Sequence, residues 1–130
     1  MNGKKHYSQM TDLEIEFLLR KFFSIPKHEW QFTKYALKRM ETRNIDPKSF
    51  ETLWINPSLI EFHKKGNSNR ILLRSNCPQQ DGYEVCGVFD FTHKKIITVW
   101  KNWVGNKHQN LVIRAYRLKA DVLEVFQSAS

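Results

Sequence analysis

A change of period in the hydrophobic pattern at Leu59 predicts an α+β fold. Before that residue, apolar side chains recur at three- and four-residue spacing between helix-capping signals; after it, apolar and polar residues alternate. The alternating stretches are joined by short turn sequences, which favour antiparallel pairing of consecutive strands. The predicted architecture is N-terminal helices packed on a four- to five-stranded antiparallel meander sheet. With 130 residues and no internal repeat or low-complexity linker, the chain is long enough for one domain with its own core. Residues 11–130 are assigned to that domain, and the polar residues 1–10 to a flexible N-terminal tail.

Thr11-Asp-Leu-Glu14 is a capping box, in which the threonine hydroxyl and the glutamate side chain satisfy early helix N–H groups. It opens a helix from Leu13 to Phe23, with Leu13, Phe17 and Leu18 among its apolar positions, and Ile25-Pro26 stops it. Glu14 and Glu16 read as cap and surface charges. A second helix lies within Phe32 to Ile45, with Thr33 as N-cap and Asn44 near its end. At about 100° per residue, Phe32, Ala36, Leu37 and Met40 form an apolar arc with Lys34, Lys38 and Glu41 opposite. Tyr35, Arg39 and Arg43 follow one another at spacing four on the flank of that arc. Either the arginines lay their stems over the core edge with their heads in water, or they aim two guanidinium groups along the edge of whatever the helix packs on.

Asp46-Pro47 restarts the chain as cap and first helical position of a short third helix reaching to about Ile55, with Phe50, Leu53 and Trp54 on one side. Four strands follow, Leu59 to Lys64, Arg70 to Ser75, Tyr83 to Asp90 and Lys95 to Trp103. Gly66-Asn67, Gln80-Asp81-Gly82 and Thr92-His93 supply the turns between them. Gly105 to Asn110 is a polar connection, Leu111 to Tyr116 an edge strand or extended segment, and Ala120 to Gln127 a closing helix.

The net charge of +8 and pI near 9.6 suit a polyanion: nucleic acid, an acidic protein or an anionic surface. No apolar run approaches the roughly 20 residues of a membrane span, and the first residues lack the apolar core of a signal peptide, so the cytoplasm is the expected location. Cys77 and Cys86 form no C-x-x-C pair and read as free thiols. A zinc site from Cys77, Cys86, His63 and His93 matches no standard ligand spacing, and no metal is expected.

The acidic residues are unevenly placed. From Phe91 to Lys119 there is no Asp or Glu, while Lys94, Lys95, Lys101, Lys107, Arg114, Arg117 and Lys119 are present; Phe62 to Gln80 is likewise acid-free and holds Lys64, Lys65, Arg70 and Arg74. Interleaved with Trp100, Trp103 and Tyr116, this is the basic and aromatic pattern of a surface that stacks bases and follows phosphates. Strict alternation puts Ile97, Val99 and Trp103 on one face of the last strand, and Ile96, Thr98, Trp100 and Asn102 on the other. Arg70 and Arg74 alternate with Ile71 and Leu73 and would reach the same open face.

The order of helices before a four-stranded meander, with F-T-K-Y-A-x-x-R-M-x-x-R-x-I over Phe32 to Ile45 and I-I-T-V-W over Ile96 to Trp100, resembles the small ribonuclease toxins of the barnase–EndoU–colicin–RelE fold. The resemblance covers about Phe32 to Trp103. Many such sequences carry a histidine after the F-T-K or F-S-K run, and this chain has Tyr35. Lys34, Arg39, Arg43, Thr98 and Trp100 are the positions that carry over.

The resemblance implies metal-independent, cofactor-free endonucleolytic cleavage of tRNA or mRNA, by attack of a ribose 2′-hydroxyl on the neighbouring phosphate. Such a reaction needs a base, an acid and fixed cations. Tyr35, Arg39, Arg43, Thr98 and Trp100 are the expected catalytic set. Arg39 and Arg43 would grip the phosphate, Trp100 would stack a base, and Thr98 or Asn102 would hydrogen-bond the scissile group. Lys34, Arg70, Arg74, Lys101, Asn102 and Trp103 are the expected RNA-binding set. Tyr35, His63, His93 and His108 are the candidates for proton transfer. The expected biological setting is a toxin–antitoxin or phage-like mobile-element system, with an acidic inhibitor protein as partner. The alternative is a non-catalytic module whose basic face binds nucleic acid or an acidic protein.

Overall fold

The computed structural model describes residues 2–106 and 114–128. Thr11 Oγ1 accepts the Glu14 N–H at 3.2 Å and Glu14 Oε1 accepts the Thr11 N–H at 2.8 Å, so α1 (Asp12–Ser24) starts at the capping box. Leu18 and Phe22 of α1 are buried, whereas Leu13 faces solvent. Next come α2 (Lys34–Thr42), capped by Thr33, and α3 (Pro47–Glu51), capped by Asp46 with proline in its first turn. A single 3₁₀ turn, Thr52–Trp54, extends α3. Asn44 leaves α2 with φ of 53°, the left-handed conformation that asparagine tolerates at a helix end. The chain closes with α4 (Val122–Ser128).

The expected meander is present as β3 (Ser58–Lys65), β4 (Ser68–Arg74), β5 (Tyr83–Asp90) and β6 (Lys95–Trp103), each antiparallel to the next. Two further strands widen it to six, in the order β1-β3-β4-β5-β6-β2. One is β1 (Gly3–His6), antiparallel to β3. The expectation of a loose tail is therefore corrected: pairing with the β3 edge, not the apolar content of its own residues, makes this polar segment a strand. The other is β2 (Gln31–Phe32), parallel to β6, so Phe32 enters the structure on a strand and not on the helix. Of the expected segment Leu111 to Tyr116, residues 111–113 lie outside the described residues, and Arg114 to Tyr116 form no strand.

One face of the sheet carries the core. Leu18, Phe22, Ala36, Phe50, Leu53, Val122 and Val125 from the helical segments pack on Leu59, Phe62, Ile71, Leu73, Phe89, Ile96 and Val99. Phe89 is its aromatic centre, with ring centroids of Phe22 at 4.9 Å, Trp30 at 5.1 Å and Trp54 at 5.7 Å. Such contacts add about 0.5–1.5 kcal/mol each beyond area burial. Leu37, expected in the apolar arc of α2, is exposed, and Ala36 alone of that helix is fully buried.

A second correction concerns β6. Its register with β5 passes from Ile96 opposite Phe89 to Thr98 opposite Val88, so Ile97 is an extra, bulged residue. Ile96 and Val99 both reach the core, while Thr98, Trp100 and Asn102 remain on the opposite face. That face carries a small apolar cluster of Ile60, Leu72 and Cys86, with Val88 and Trp100 against it.

Glu14 is also more than a surface cap. It is buried and accepts from Lys5 Nζ at 2.6 Å and from the Val122 N–H at 3.0 Å, tying β1, α1 and α4 together. Burial pushes its carboxyl up, but the bonds from Lys5, Thr11 and Val122 outweigh that and hold it below the usual range.

Candidate functional site

One residue fastens α2 to β6. The Thr33 N–H donates to the Ile96 carbonyl at 3.1 Å and its hydroxyl to the Ile97 carbonyl at 3.0 Å. The same hydroxyl oxygen accepts the Ala36 N–H at 3.0 Å as the helix cap. The first turn of α2 is thereby set on the residues that lead into Thr98 and Trp100. Tyr35, Arg39 and Arg43 then run along one flank of the helix, four residues apart, towards β6. Together with Thr98, Trp100 and Lys101, and with Tyr83 from β5, they line a cleft of about 700 Å³.

Arg39 Nε donates to Tyr35 Oη at 2.9 Å, and the guanidinium lies 5.2 Å from the phenol ring centroid. Because the Tyr35 oxygen accepts from Arg39, its own hydrogen stays free to be donated to a ligand. Arg43 closes α2, its backbone N–H donating to the Arg39 carbonyl at 2.9 Å, and its side chain is exposed. Lys101 Nζ meets Asp81 at 2.7 Å, and the Asp81 carboxyl is held below its usual range by that bond. Asp81 also accepts the Tyr83 N–H at 3.1 Å, and Gly82, at φ of 80°, supplies the left-handed turn between them. One turn thus holds Tyr83 and Lys101 at the cleft wall. Arg39, Arg43 and Lys101 give the cleft three cations, and none of its lining residues is acidic. Among the described residues, neither arginine pairs with a carboxylate.

Trp100 is half-buried over the open-face apolar cluster. Beneath it, Cys86 is fully buried and its thiol is pushed up to about 12 by desolvation. No family model, curated protein or solved structure matches the chain. The site is therefore read from its own geometry.

Of the expected catalytic set, the structure brings Tyr35, Arg39, Arg43, Thr98 and Trp100 to this one cleft, and Lys101 of the expected RNA-binding set joins them. The rest of that second set stands elsewhere. Lys34 is exposed on the first turn of α2, outside the cleft lining. Arg70 lines a neighbouring cavity of about 420 Å³ with His63. Trp103 is 61% exposed and lies over Gly105, where an added Cβ would sit 2.4 Å from its ring. Asn102 uses its amide nitrogen to hold the turn beyond β6, donating to the Asn106 carbonyl at 2.8 Å.

Arg74 is the clear correction. It is 2% exposed, pairs with buried Glu84 at 2.7 Å, and donates to the carbonyls of Trp103 at 3.1 Å and of Asn106. Its guanidinium is consumed inside the protein and is not presented on the open face. Strand alternation points Arg70 and Arg74 to the same face, and only the burial of Glu84 beside one of them separates their roles.

Tyr83 is the lining residue that sequence reasoning missed. Its signal was its place directly after Asp81-Gly82, at the start of a strand facing the acid-free last strand. Of the proton-transfer candidates other than Tyr35, His63 lies in the neighbouring cavity and His93 Nδ1 is tied to Asp90 at 2.9 Å. His108 lies outside the described residues. Cys77 and Cys86 are free thiols. Among the described residues no group of three or more His, Cys, Asp or Glu is placed to hold a metal, and no helix is long and apolar enough to cross a membrane.

Proposed function

We propose that this protein is a metal-independent endoribonuclease that grips one RNA phosphate between Arg39, Arg43 and Lys101 and stacks an adjoining base on Trp100. The observation that carries this reading is the convergence of α2 and β6 on a cleft with three cations, two phenols, a tryptophan and no acid. Guanidinium groups without carboxylate partners suit the oxygens of a phosphodiester, which they contact bidentately. Fixed cations lower the barrier most where charge builds in the transition state, on the non-bridging oxygens.

In the reaction the 2′-hydroxyl loses its proton to a base and its oxygen bonds to phosphorus. The bond to the 5′-oxygen breaks, and that oxygen takes a proton, leaving a 2′,3′-cyclic phosphate and a 5′-hydroxyl. Tyr35, whose oxygen already accepts from Arg39, is placed to donate to the departing oxygen, and Thr98 to hydrogen-bond the phosphate. The substrate is cytoplasmic tRNA or mRNA. An acidic inhibitor protein, as in a toxin–antitoxin pair, would cover the same three cations.

The second reading is a non-catalytic module that binds nucleic acid or an acidic protein through this cleft. The lack of histidine and carboxylate among the lining residues favours it. Incubating the purified protein with tRNA and mRNA in EDTA and mapping new ends decides between the two. Cyclic-phosphate ends are expected; intact RNA after prolonged incubation refutes the nuclease and leaves the binding module.

A further inference from the structure

We infer that the cavity beside the cleft is a second nucleotide subsite, so that the substrate is a single RNA strand laid across the sheet from β6 towards β3. This rests on the ribonuclease reading of the cleft. The two hollows lie side by side and share Thr98 and Trp100 in their walls, and together they would make the trough. Leu72 of β4 and Val88 of β5 floor the second hollow, and Lys4, His63 and Arg70 stand at its far side.

Spacing decides how much RNA the trough takes. Thr98 is opposite Val88, Val88 opposite Leu72 and Leu72 opposite Glu61, with His63 further along the same β3 strand. From β6 to β3 is thus three strand spacings, about 14 Å. That distance exceeds one nucleotide repeat. A strand held at Arg39 and Arg43 brings a following phosphate to Arg70 and Lys4, with the intervening base over the Leu72 and Val88 floor.

Of the charged groups at the far side, which include the carboxylate of Glu61, Arg70 is the one not saturated. Arg70 Nε is shut away without a hydrogen-bond acceptor, and an anion drawing its guanidinium outward relieves that penalty. Lys4 lies 3.5 Å from Glu61, which also accepts from Tyr116 Oη at 2.8 Å. Burial, and then the neighbouring Lys4, hold His63 below its usual range. A neutral imidazole there offers one donor and one acceptor to a base edge. Base faces are free to stack on Trp100 only in an unpaired strand, which excludes a duplex.

The test uses the full chain and labelled 2′-O-methyl RNA, which binds but lacks the attacking hydroxyl, with affinity read by fluorescence anisotropy at fixed salt. A pentanucleotide is expected to bind at least about tenfold more tightly than a dinucleotide, and a duplex of equal length about tenfold more weakly than the single strand. Arg70→Ala and, independently, Lys4→Ala on the edge strand should each remove most of the pentanucleotide gain and leave the dinucleotide unchanged. Equal binding of the two lengths, or preference for the duplex, overturns the second subsite while Arg39-dependent cleavage still stands. If no oligomer binds in an Arg39-dependent way, both readings fall together.

Discussion

Replacing Arg74 with methionine should test whether this arginine belongs to the core or to the RNA face. Its side chain is 3% and that of Glu84 4% exposed, so the pair is not screened by solvent. Methionine keeps most of the stem volume but leaves the Glu84 carboxylate buried without its cation, a change that costs roughly 3–5 kcal/mol. The carbonyls of Trp103 and Asn106 lose the arginine as a donor but keep the Asn106 N–H at 2.9 Å and the Asn102 amide at 2.8 Å respectively, so this adds little. A loss of about 4 kcal/mol, with an m-value of about 1.5 kcal/mol/M, moves the urea midpoint down by roughly 2.5 M. Arg74→Met combined with Glu84→Leu should recover most of it, because removing both charges removes the buried orphan. Urea unfolding followed by tryptophan fluorescence measures all three proteins. If Arg74→Met unfolds within about 1 kcal/mol of the parent yet loses RNA affinity, the assignment of Arg74 to the interior is wrong.

Arg39→Ala should lower the rate of RNA cleavage about 10²- to 10³-fold with an unchanged unfolding midpoint, and Arg39→Lys should restore little, since a point charge cannot grip bidentately. Unaltered single-turnover rates in Arg39→Ala would take this residue out of the site. Glu14, with its folded value depressed, contributes stability that is fully present above the ordinary value of 4.5 and is lost as pH falls through the folded one. Urea midpoints from pH 7 to 3 should therefore fall less steeply in Glu14→Gln than in the parent, from a lower starting point; parallel curves would contradict this. Cys86, buried with its thiol near 12, should react with a disulfide reagent at pH 8 only as fast as the protein opens, while half-exposed Cys77 reacts first. Two thiols labelled at equal rates would show that Cys86 is reachable in the folded state.

Local signals in the sequence were reliable where the deciding interactions are local. The Thr11 capping box, the Asp46-Pro47 restart and the ends of β5 and β6 stand where the pattern placed them, because caps and turns are made by residues within four positions of each other. β1 and β2 escaped detection because four and two residues are too few to show a period, and partners 55 or more positions away make them strands. The Lys5–Glu14 and Arg74–Glu84 pairs lie only 9 and 10 positions apart, yet their burial was hidden as well, since composition does not say which charges will meet inside. The cleft itself was partly legible: spacing four put Tyr35, Arg39 and Arg43 on one flank, and alternation put Thr98 and Trp100 on one face. What it lacked was Tyr83, which depends on how β5 lies beside β6.

The bulge at Ile97 has a consequence of its own. Strand side chains have parity, and one residue more or less exchanges inside for outside along everything that follows. Upstream, Lys95 and Ile96 are locked in phase by their pairing with Gln31 and Phe32. Downstream, Thr98 and Trp100 need the opposite phase to face the arginines of α2. Ile97 is where the strand changes step: deleting it would leave a regular strand with Ile96 and Val99 still inside and Thr98 and Trp100 still outside, whereas keeping it in strict alternation from Ile96 would turn Val99 outward and Trp100 into the core. The chemistry of the cleft is therefore written in a backbone irregularity as well as in residue identities. The same residues paired without the bulge would carry Thr98 and Trp100 to the core face and fold without a cleft.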